Sequence, residues 1–273
     1  MLSCGQKSHF DTFGFVVVRQ AFSEMEMNVI TKAFDNVLLQ DRDGSPLSET
    51  GQSVWAVVEK APDLIRMVEN DKVFDTVKQI LGPNFIWAGS EGNITSHKQH
   101  YWHADRPGDQ EIKYPRLKAM VYLDKTSVKR GALRVIPGSH KLPFHTDLWP
   151  LQANHDRQKE NPIPGLGINS KDVPSISLES SPGDLVFFSQ SLFHAVFDSF
   201  PNRRYIALKF AAEPSTHYEI GSLIKHSGYK SIFEPHPSFT SSKSSRIHSM
   251  IRPLREAKVR TLLRTLKQNI EEN

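Results

Sequence analysis

The chain has 273 residues, of which 38% are hydrophobic and 23% are charged, with 17 prolines and 15 glycines. This balance excludes collagen-like, long coiled-coil and wholly disordered chains, so we expect a globular protein. The length is near the upper limit of what one hydrophobic core supports, and we treat residues 1–273 as a single domain. The only cysteine, Cys4, lies in an N-terminal tail that we expect to be loose. It excludes an internal disulfide and a cysteine-rich zinc site.

The net charge of +4 is unevenly distributed along the chain. Residues 225–273 contain ten Lys and Arg against four acidic residues, whereas residues 1–224 are slightly acidic. Lys and Arg on a C-terminal helix usually form its solvated face, so we expect no nucleic acid as a partner. No apolar run approaches the roughly 20 residues of a membrane-spanning helix, and the first residues lack the order of a signal peptide. We therefore expect a cytoplasmic protein with no membrane association.

The N-terminal part predicts one strand followed by helices. Residues 13–18 contain a β-type run, and Ser23 is a plausible N-cap of a helix whose apolar residues recur at helical spacing. Residues 41–53 are polar and rich in turn formers, which indicates a loop. Pro62 opens a second apolar periodic segment, which a Gly-Pro pair then stops. We expect residues 1–83 to be a helical N-terminal part.

Residues 84–212 change to short β-type runs, mostly bounded by Gly, Pro, Asn or Asp. Eight such runs without intervening helices indicate an antiparallel jelly-roll, or cupin-like double-stranded β-helix, in a mainly β fold with flanking helices. A polar insertion at residues 152–172 is expected at the surface, where it could border a pocket. The eight runs are FIWAG, HYWHAD, LKAMVYL, ALRVIPG, SISLE, DLVFFS, LFHAVF and RYIALKFAA.

Residues 213–273 are expected to be a helical C-terminal extension. Its last helix is expected from about Ser249, because apolar residues recur there at helical spacing between basic ones. The apolar face of this helix would be buried against the domain or against a second subunit, which makes a homodimer possible.

The segment most informative about chemistry is Tyr101 to Arg106. Side chains two apart in a strand point the same way, so His103 and Asp105 can approach one ion together. A third ligand is available in His194, which lies among apolar residues of another predicted strand. Two His and one Asp form the facial triad of non-haem Fe(II) oxygenases. The alternative is a hydrogen-bonded core histidine and an H-x-D that arises by chance in a chain with 12 His.

Arg203 and Arg204 follow His194 by nine and ten positions and open another predicted strand. A guanidinium that enters a barrel there could form a bidentate pair with the distal carboxylate of a 2-oxoacid chelated to the iron. The alternative for a paired Arg is a solvated turn.

In their order, the motifs resemble the phytanoyl-CoA dioxygenase family of Fe(II)/2-oxoglutarate oxygenases. The likeness covers roughly residues 10–212, and the G-x-L-x-V-I-P-G-S-H segment is its most specific part. The motifs are the opening F-x-x-x-G-F-V-V-V, the W-H-A-D run, the segment Arg130–His140, the segment Pro182–Phe188, and His194 with its following Arg.

The resemblance implies that His103, Asp105 and His194 are the iron ligands, with 2-oxoglutarate and dioxygen as co-substrates. It also places the 2-oxoglutarate arginine on the strand that begins near Arg203. Arg204 shares a face with apolar residues that would pack against helices, whereas Arg203 shares the more polar face. We therefore favour Arg203 over Arg204. An intact Asp105 predicts hydroxylation or another oxidation rather than halogenation, because related halogenases replace this carboxylate with a small residue.

The sequence leaves the substrate open. Polar and cationic residues near the proposed site suit a small polar or zwitterionic metabolite better than a lipid. The rival interpretation is a non-catalytic jelly-roll that binds a metal for structure and recruits a partner through its basic tail. A structural site would be closed by a fourth protein ligand, whereas a catalytic site keeps positions open.

Overall fold

A computed structural model describes residues 1–96, 99–227, 234–253 and 259 of the protein. Within these residues, ten strands form the centre of the fold. The strands are β1 Phe15–Val18, β2 Gly51–Trp55, β3 Ile86–Thr95, β4 His100–His103, β5 Arg116–Tyr122, β6 Leu133–Val135, β7 Ile176–Leu178, β8 Leu185–Ser189, β9 His194–Val196 and β10 Arg203–Ala211. The described helices are α1 Cys4–Phe13, α2 Glu24–Asp41, α3 Pro62–Glu69, α4 Asp71–Leu81, α5 Asp109–Ile112, α6 Phe144–Asp147, α7 Trp149–Ala153, α8 His217–Ser227, α9 Pro237–Thr240 and α10 Ser245–Ile251.

The strands pair into two antiparallel sheets. One sheet has six strands in the order β1-β8-β5-β10-β3-β2, and the other has four in the order β4-β9-β6-β7. All eight β segments expected between residues 84 and 212 are strands, which confirms the jelly-roll expectation. The two added strands, β1 and β2, extend the six-stranded sheet at its two edges.

Alternating side chains divide the core into two layers. On β10, Ile206, Leu208 and Phe210 are buried against the helices that cover the six-stranded sheet. Ala207 and, on β5, Met120 face the other sheet and pack there with residues of β6, β7 and β9. Helices α2, α3, α4 and α10 supply most of the outer layer. The inner layer between the sheets is therefore where a pocket can form.

The N-terminal tail is not loose as expected but forms the helix α1. Ser3 caps the helix by accepting a hydrogen bond from the backbone of Gln6, whose side chain accepts one from Ser3 N in return. Gly14 ends it in the left-handed conformation, with φ of 83°, so β1 begins at Phe15 and not at residue 13. Cys4 is exposed on this helix.

Gly14→Ala is expected to destabilise the protein by about 2–4 kcal/mol. A Cβ there would lie 2.5 Å from His140 Nδ1 and 2.8 Å from a Leu192 methyl carbon, on a backbone that disfavours any side chain. Gly44→Ala is the matched control, because Gly44 also has a positive φ but no atom within 4 Å of the added Cβ. Denaturant unfolding should show a loss of only about 1 kcal/mol for the control. Equal losses in the two variants would contradict the steric account.

Two other N-terminal expectations need correction. The predicted single helix after Pro62 is two helices, because Asn70 adopts an extended conformation and its side chain accepts a hydrogen bond from Lys72 N at 2.9 Å. The expected loop at residues 41–53 ends within strand β2, which pairs with β3 as an edge strand. Capping at Asn70 overrode the apolar periodicity in the first case, and pairing of β2 with β3 overrode the polar, turn-forming composition in the second.

The insertion at residues 152–172 is only partly a surface excursion. Gln158 is fully buried, accepts a hydrogen bond from Trp102 N at 2.8 Å and donates one to Trp102 O at 2.7 Å. Gln152 accepts from Ala104 N at 2.9 Å. β4 is an edge strand, and these two side chains make the backbone hydrogen bonds that a neighbouring strand would otherwise make. The insertion therefore fixes the backbone beside His103 and Asp105.

The C-terminal extension covers one end of the barrel. In α8, Ser222 and Tyr218 donate hydrogen bonds to Glu111, at 2.5 Å and 2.9 Å, and Ser222 also accepts one from Arg116. Helix α10 begins at Ser245, four residues earlier than the predicted last helix. Most of that predicted helix lies outside the described residues. Among the helices of the described chain, none is both long enough and apolar enough to cross a membrane.

Candidate metal centre

The antiparallel pairing of β4 with β9 brings the predicted ligands together. His103 and His194 are direct partners in this pairing, and the centres of their rings are 4.3 Å apart. Asp105 Oδ1 lies 4.0 Å from His103 Nε2 and 3.9 Å from His194 Nε2. One ligand atom from each of the three side chains lies within 4.8 Å of the other two. No other group of His, Cys, Asp or Glu in the described chain meets this criterion.

Backbone carbonyl groups orient both imidazole rings. The Nδ1 of His103 lies 2.6 Å from Tyr101 O, and the Nδ1 of His194 lies 2.9 Å from Leu192 O. With the Nδ1 protons donated to these carbonyls, the Nε2 lone pairs remain for a metal. Burial lowers the pKa of His103 and lowers the pKa of His194 to about 3. Both rings are therefore neutral near pH 7, which is the form that binds metal.

Lys118 holds the carboxylate of Asp105 from the opposite side. Lys118 Nζ lies 2.7 Å from Asp105 Oδ2, and the two side chains are only 13% and 18% exposed. Burial raises the pKa of Asp105, but the ammonium group of Lys118 together with the neighbouring His194 and His103 lowers it more and holds the pKa of this carboxyl well below its usual range. Two neutral imidazoles and one carboxylate form the donor set of an open three-ligand iron site.

A cavity of about 250 Å³ lies beside the three side chains, between the inner faces of the two sheets. One part of its wall is polar and includes Glu91, Asn93 and Lys118, and Glu91 forms an ion pair with Lys209. Another part of the wall is apolar and includes Met120, Leu133, Phe188 and Val196. A separate, larger open groove of about 790 Å³ lies at α2 and contains none of the three candidate ligands.

The structure separates the two candidate arginines by face. Arg203 is 2% exposed and lines the cavity, with its guanidinium carbon 4.9 Å from the ring centre of Tyr122 and 5.1 Å from that of Tyr205. Within the described chain no carboxylate forms an ion pair with Arg203, and its Nε has no hydrogen-bond partner. A buried cation without an anion is costly, so this site is suited to an anionic group.

Arg204 faces the helices and is fully paired. It donates hydrogen bonds to both carboxylate oxygens of Asp124, at 2.8 Å and 3.2 Å, and it contacts Asp35 at 2.9 Å. These bonds raise the pKa of Arg204 above its usual value. Arg204 therefore links β10 to the loop after β5 and to α2, with no cationic capacity left for a ligand in the cavity.

Gly131 of the Gly-x-Leu segment lies close to the side chain of Arg203. Its φ is +63°, and a Cβ there would lie 3.1 Å from both Cδ and Nε of Arg203. A side chain at this position would press on Arg203, so the glycine leaves room for it. His140 of the same segment is not in the metal cluster and lies against Gly14.

The sequence analysis did not single out Lys118, Glu91 or the buried Gln158. The spacing along β5 could have identified Lys118. It lies two residues from Met120 and four from Tyr122, so the three side chains share the inward face of the strand. Gln158 carried no such signal, since its contact with the β4 backbone spans 56 positions of the chain.

The chain matches the family model of phytanoyl-CoA dioxygenase (PhyH) over residues 10–203. Among curated proteins it is similar to an ectoine dioxygenase from Sphingopyxis alaskensis, at 28% identity over 154 residues, which is 51% of this chain and 50% of the relative. It is also similar to an ectoine dioxygenase from Bordetella parapertussis, at 23% identity over 71% of this chain and 69% of the relative. The match thus spans half the length of the first relative.

Solved structures share the fold. HygX from Streptomyces hygroscopicus, with nickel and 2-oxoglutarate bound, aligns with a TM-score of 0.62 at 18% identity, over 77% of this chain and 87% of that one. EctD from S. alaskensis with bound Fe aligns with a TM-score of 0.58 at 21% identity, over 77% of each chain. The family model covers most of the chain, and its core is the jelly-roll described above. The protein belongs to the phytanoyl-CoA dioxygenase (PhyH) family.

Proposed function

We propose that this chain oxidises a C–H bond of a small polar or zwitterionic metabolite, most simply by hydroxylation, and releases succinate and carbon dioxide. One observation carries the proposal. Three side chains able to bind a metal share a cavity with Arg203, a buried cation without an ion-pair partner in the described chain. When bound there, Fe(II) supplies the redox chemistry that couples 2-oxoglutarate and dioxygen to C–H oxidation.

The protein contributes binding, orientation and exclusion of water. His103 and His194 offer Nε2 atoms fixed by backbone carbonyls, and Asp105 offers Oδ1. The guanidinium of Arg203 pairs with the distal carboxylate of 2-oxoglutarate, where the rings of Tyr122 and Tyr205 hold it in place. Apolar residues on the facing wall limit access of water to the reacting groups.

The cavity supports a small and polar substrate. Its volume of about 250 Å³ lies just below the roughly 300–1,000 Å³ of typical ligand sites, and it must also admit 2-oxoglutarate. Glu91 and Lys118 bring charges of both signs to its wall. Similar curated proteins are named ectoine dioxygenases. Ectoine, a small zwitterion, is therefore the first compound to test.

The test is release of succinate from 2-oxoglutarate by the Fe(II)-loaded full chain, over a metabolite panel that includes ectoine. A substrate should raise the rate above that without metabolite and give a product heavier by one oxygen atom in mass spectrometry. If no compound in the panel causes succinate release and calorimetry shows no binding of 2-oxoglutarate, the non-catalytic metal-binding module would be favoured. Nothing in the described site favours that rival, since no fourth protein ligand joins the cluster.

A further inference from the structure

The two carboxylate oxygens of Asp105 face different partners, Lys118 on one side and the two histidines on the other. Oδ2 lies 2.7 Å from Lys118 Nζ, while Oδ1 faces both histidine Nε2 atoms at 3.9–4.0 Å. We propose that Lys118 is a positioning residue that occupies Oδ2, so that Asp105 binds the metal through Oδ1 alone. The inference rests on the proposed function, because it requires a metal at this site.

The number of ligand atoms decides whether the chemistry is possible. Three protein ligand atoms on an octahedral ion leave three positions, two for a chelating 2-oxoacid and one for dioxygen. A carboxylate that binds through both oxygens would occupy one of these three positions. The ammonium group of Lys118 prevents this, because it already forms an ion pair with Oδ2 at 2.7 Å. Lys118 thereby keeps the dioxygen position open.

The fold holds Lys118 in this role. Its side chain is 13% exposed, and the ammonium nitrogen lies 5.8 Å from the ring centre of Phe188 on the next strand. Lys209 is its direct partner on β10, but the ammonium of Lys209 is engaged by Glu91. The two neighbouring lysines therefore form ion pairs with different carboxylates, Lys209 with Glu91 and Lys118 with Asp105.

The experiment counts the open positions directly, with Mn(II) as the probe and without 2-oxoglutarate. Water-proton relaxation of the Mn(II)-loaded full chain reports the number of exchangeable water molecules on the ion. We expect about three for the wild type and about two for Lys118→Met. Lys118→Arg should restore about three, because the guanidinium can still donate to Oδ2. Lys209→Met is the matched control, which removes a cation from the same row of side chains and should leave the count unchanged.

Addition of 2-oxoglutarate then gives a second readout. The count should fall to about one in the wild type and to about zero in Lys118→Met, since the chelate displaces two water molecules. A wild-type count in Lys118→Met before 2-oxoglutarate is added would overturn the proposal. If 2-oxoglutarate binding weakened while that count stayed normal, Lys118 would contact the co-substrate and not position Asp105, which also overturns it.

Failure of the proposed function would look different. In that case the wild type itself would bind no Mn(II) at this site, or would bind Mn(II) with about three water molecules that 2-oxoglutarate does not displace, whatever Lys118→Met does. Thermal melting of each variant checks its fold before the counts are compared. If Lys118→Met does not fold, Lys118→Gln replaces it, because the shorter neutral amide also loses the contact with Oδ2 while keeping a polar group in the wall.

Discussion

Replacing His103 with alanine is expected to abolish Fe(II) binding and turnover while leaving the fold intact. The side chain of His103 is 25% exposed at the cavity wall, outside the apolar clusters, and its loss leaves no buried charge unpaired. One of three ligand atoms is lost with it. The fall in metal affinity should therefore exceed the roughly 10- to 100-fold that a change outside the ligand shell produces. Asp105→Ala removes the only negatively charged ligand and should also abolish Fe(II) binding. Because it leaves the buried ammonium group of Lys118 without its carboxylate, it should lower the melting temperature as well, without unfolding the chain.

His155→Ala is the matched control for His103→Ala. The ring of His155 lies 5.6 Å from that of His103, yet His155 is not a member of the three-residue cluster. Anaerobic calorimetric titration with Fe(II) should show near wild-type affinity for this control and no measurable binding for His103→Ala. Circular dichroism melting checks the fold of each variant. If His103→Ala and Asp105→Ala both bound Fe(II) as the wild type does, the assignment of the ligands would be wrong.

The strands were predictable because their signals are local. Ile206, Leu208 and Phe210 alternate with less apolar residues, and this period of two alone places them on one face of β10. Helix α1 was missed because Phe10 is its only buried residue, while the buried Leu2 lies just before the helix. A hydrogen bond from Leu2 N to Gln79 Oε1 at 2.7 Å, across 77 positions of the chain, anchors the segment that leads into α1. A contact of that range leaves no periodic pattern.

The site was predictable to the extent that it follows from spacing along one strand. His103 and Asp105 share a face because they are two apart, whereas the approach of His194 depends on the pairing of β4 with β9. The Lys118 contact with Asp105 requires knowledge of how the two sheets face each other. The support of β4 by Gln158 depends on an insertion whose composition indicated only a loop. The sequence therefore predicted the three clustered side chains better than the side chains that position them.

Arg203→Ala is expected to weaken binding of 2-oxoglutarate by roughly 100- to 4,000-fold, the effect of losing one partner of a buried charge pair at about 3–5 kcal/mol. The Michaelis constant for 2-oxoglutarate should rise much more than kcat falls, because the pair helps to bind the co-substrate and makes no bond. Calorimetric titration of the metal-loaded protein with 2-oxoglutarate measures the loss. Arg203→Lys should recover only part of it, since an ammonium cannot form the bidentate pair.

Arg204→Ala distinguishes a role in binding from a general effect of removing a cation from β10. It breaks the bonds to Asp124 and Asp35, so it should lower the melting temperature and leave the affinity for 2-oxoglutarate near the wild-type value. Arg203 has no such ion pair in the described protein, so Arg203→Ala should cost little stability without ligand. It should instead abolish the rise in melting temperature that 2-oxoglutarate gives the wild type. The reverse pattern in the two variants would assign the co-substrate to Arg204 and overturn the inward orientation of Arg203 as the functional one.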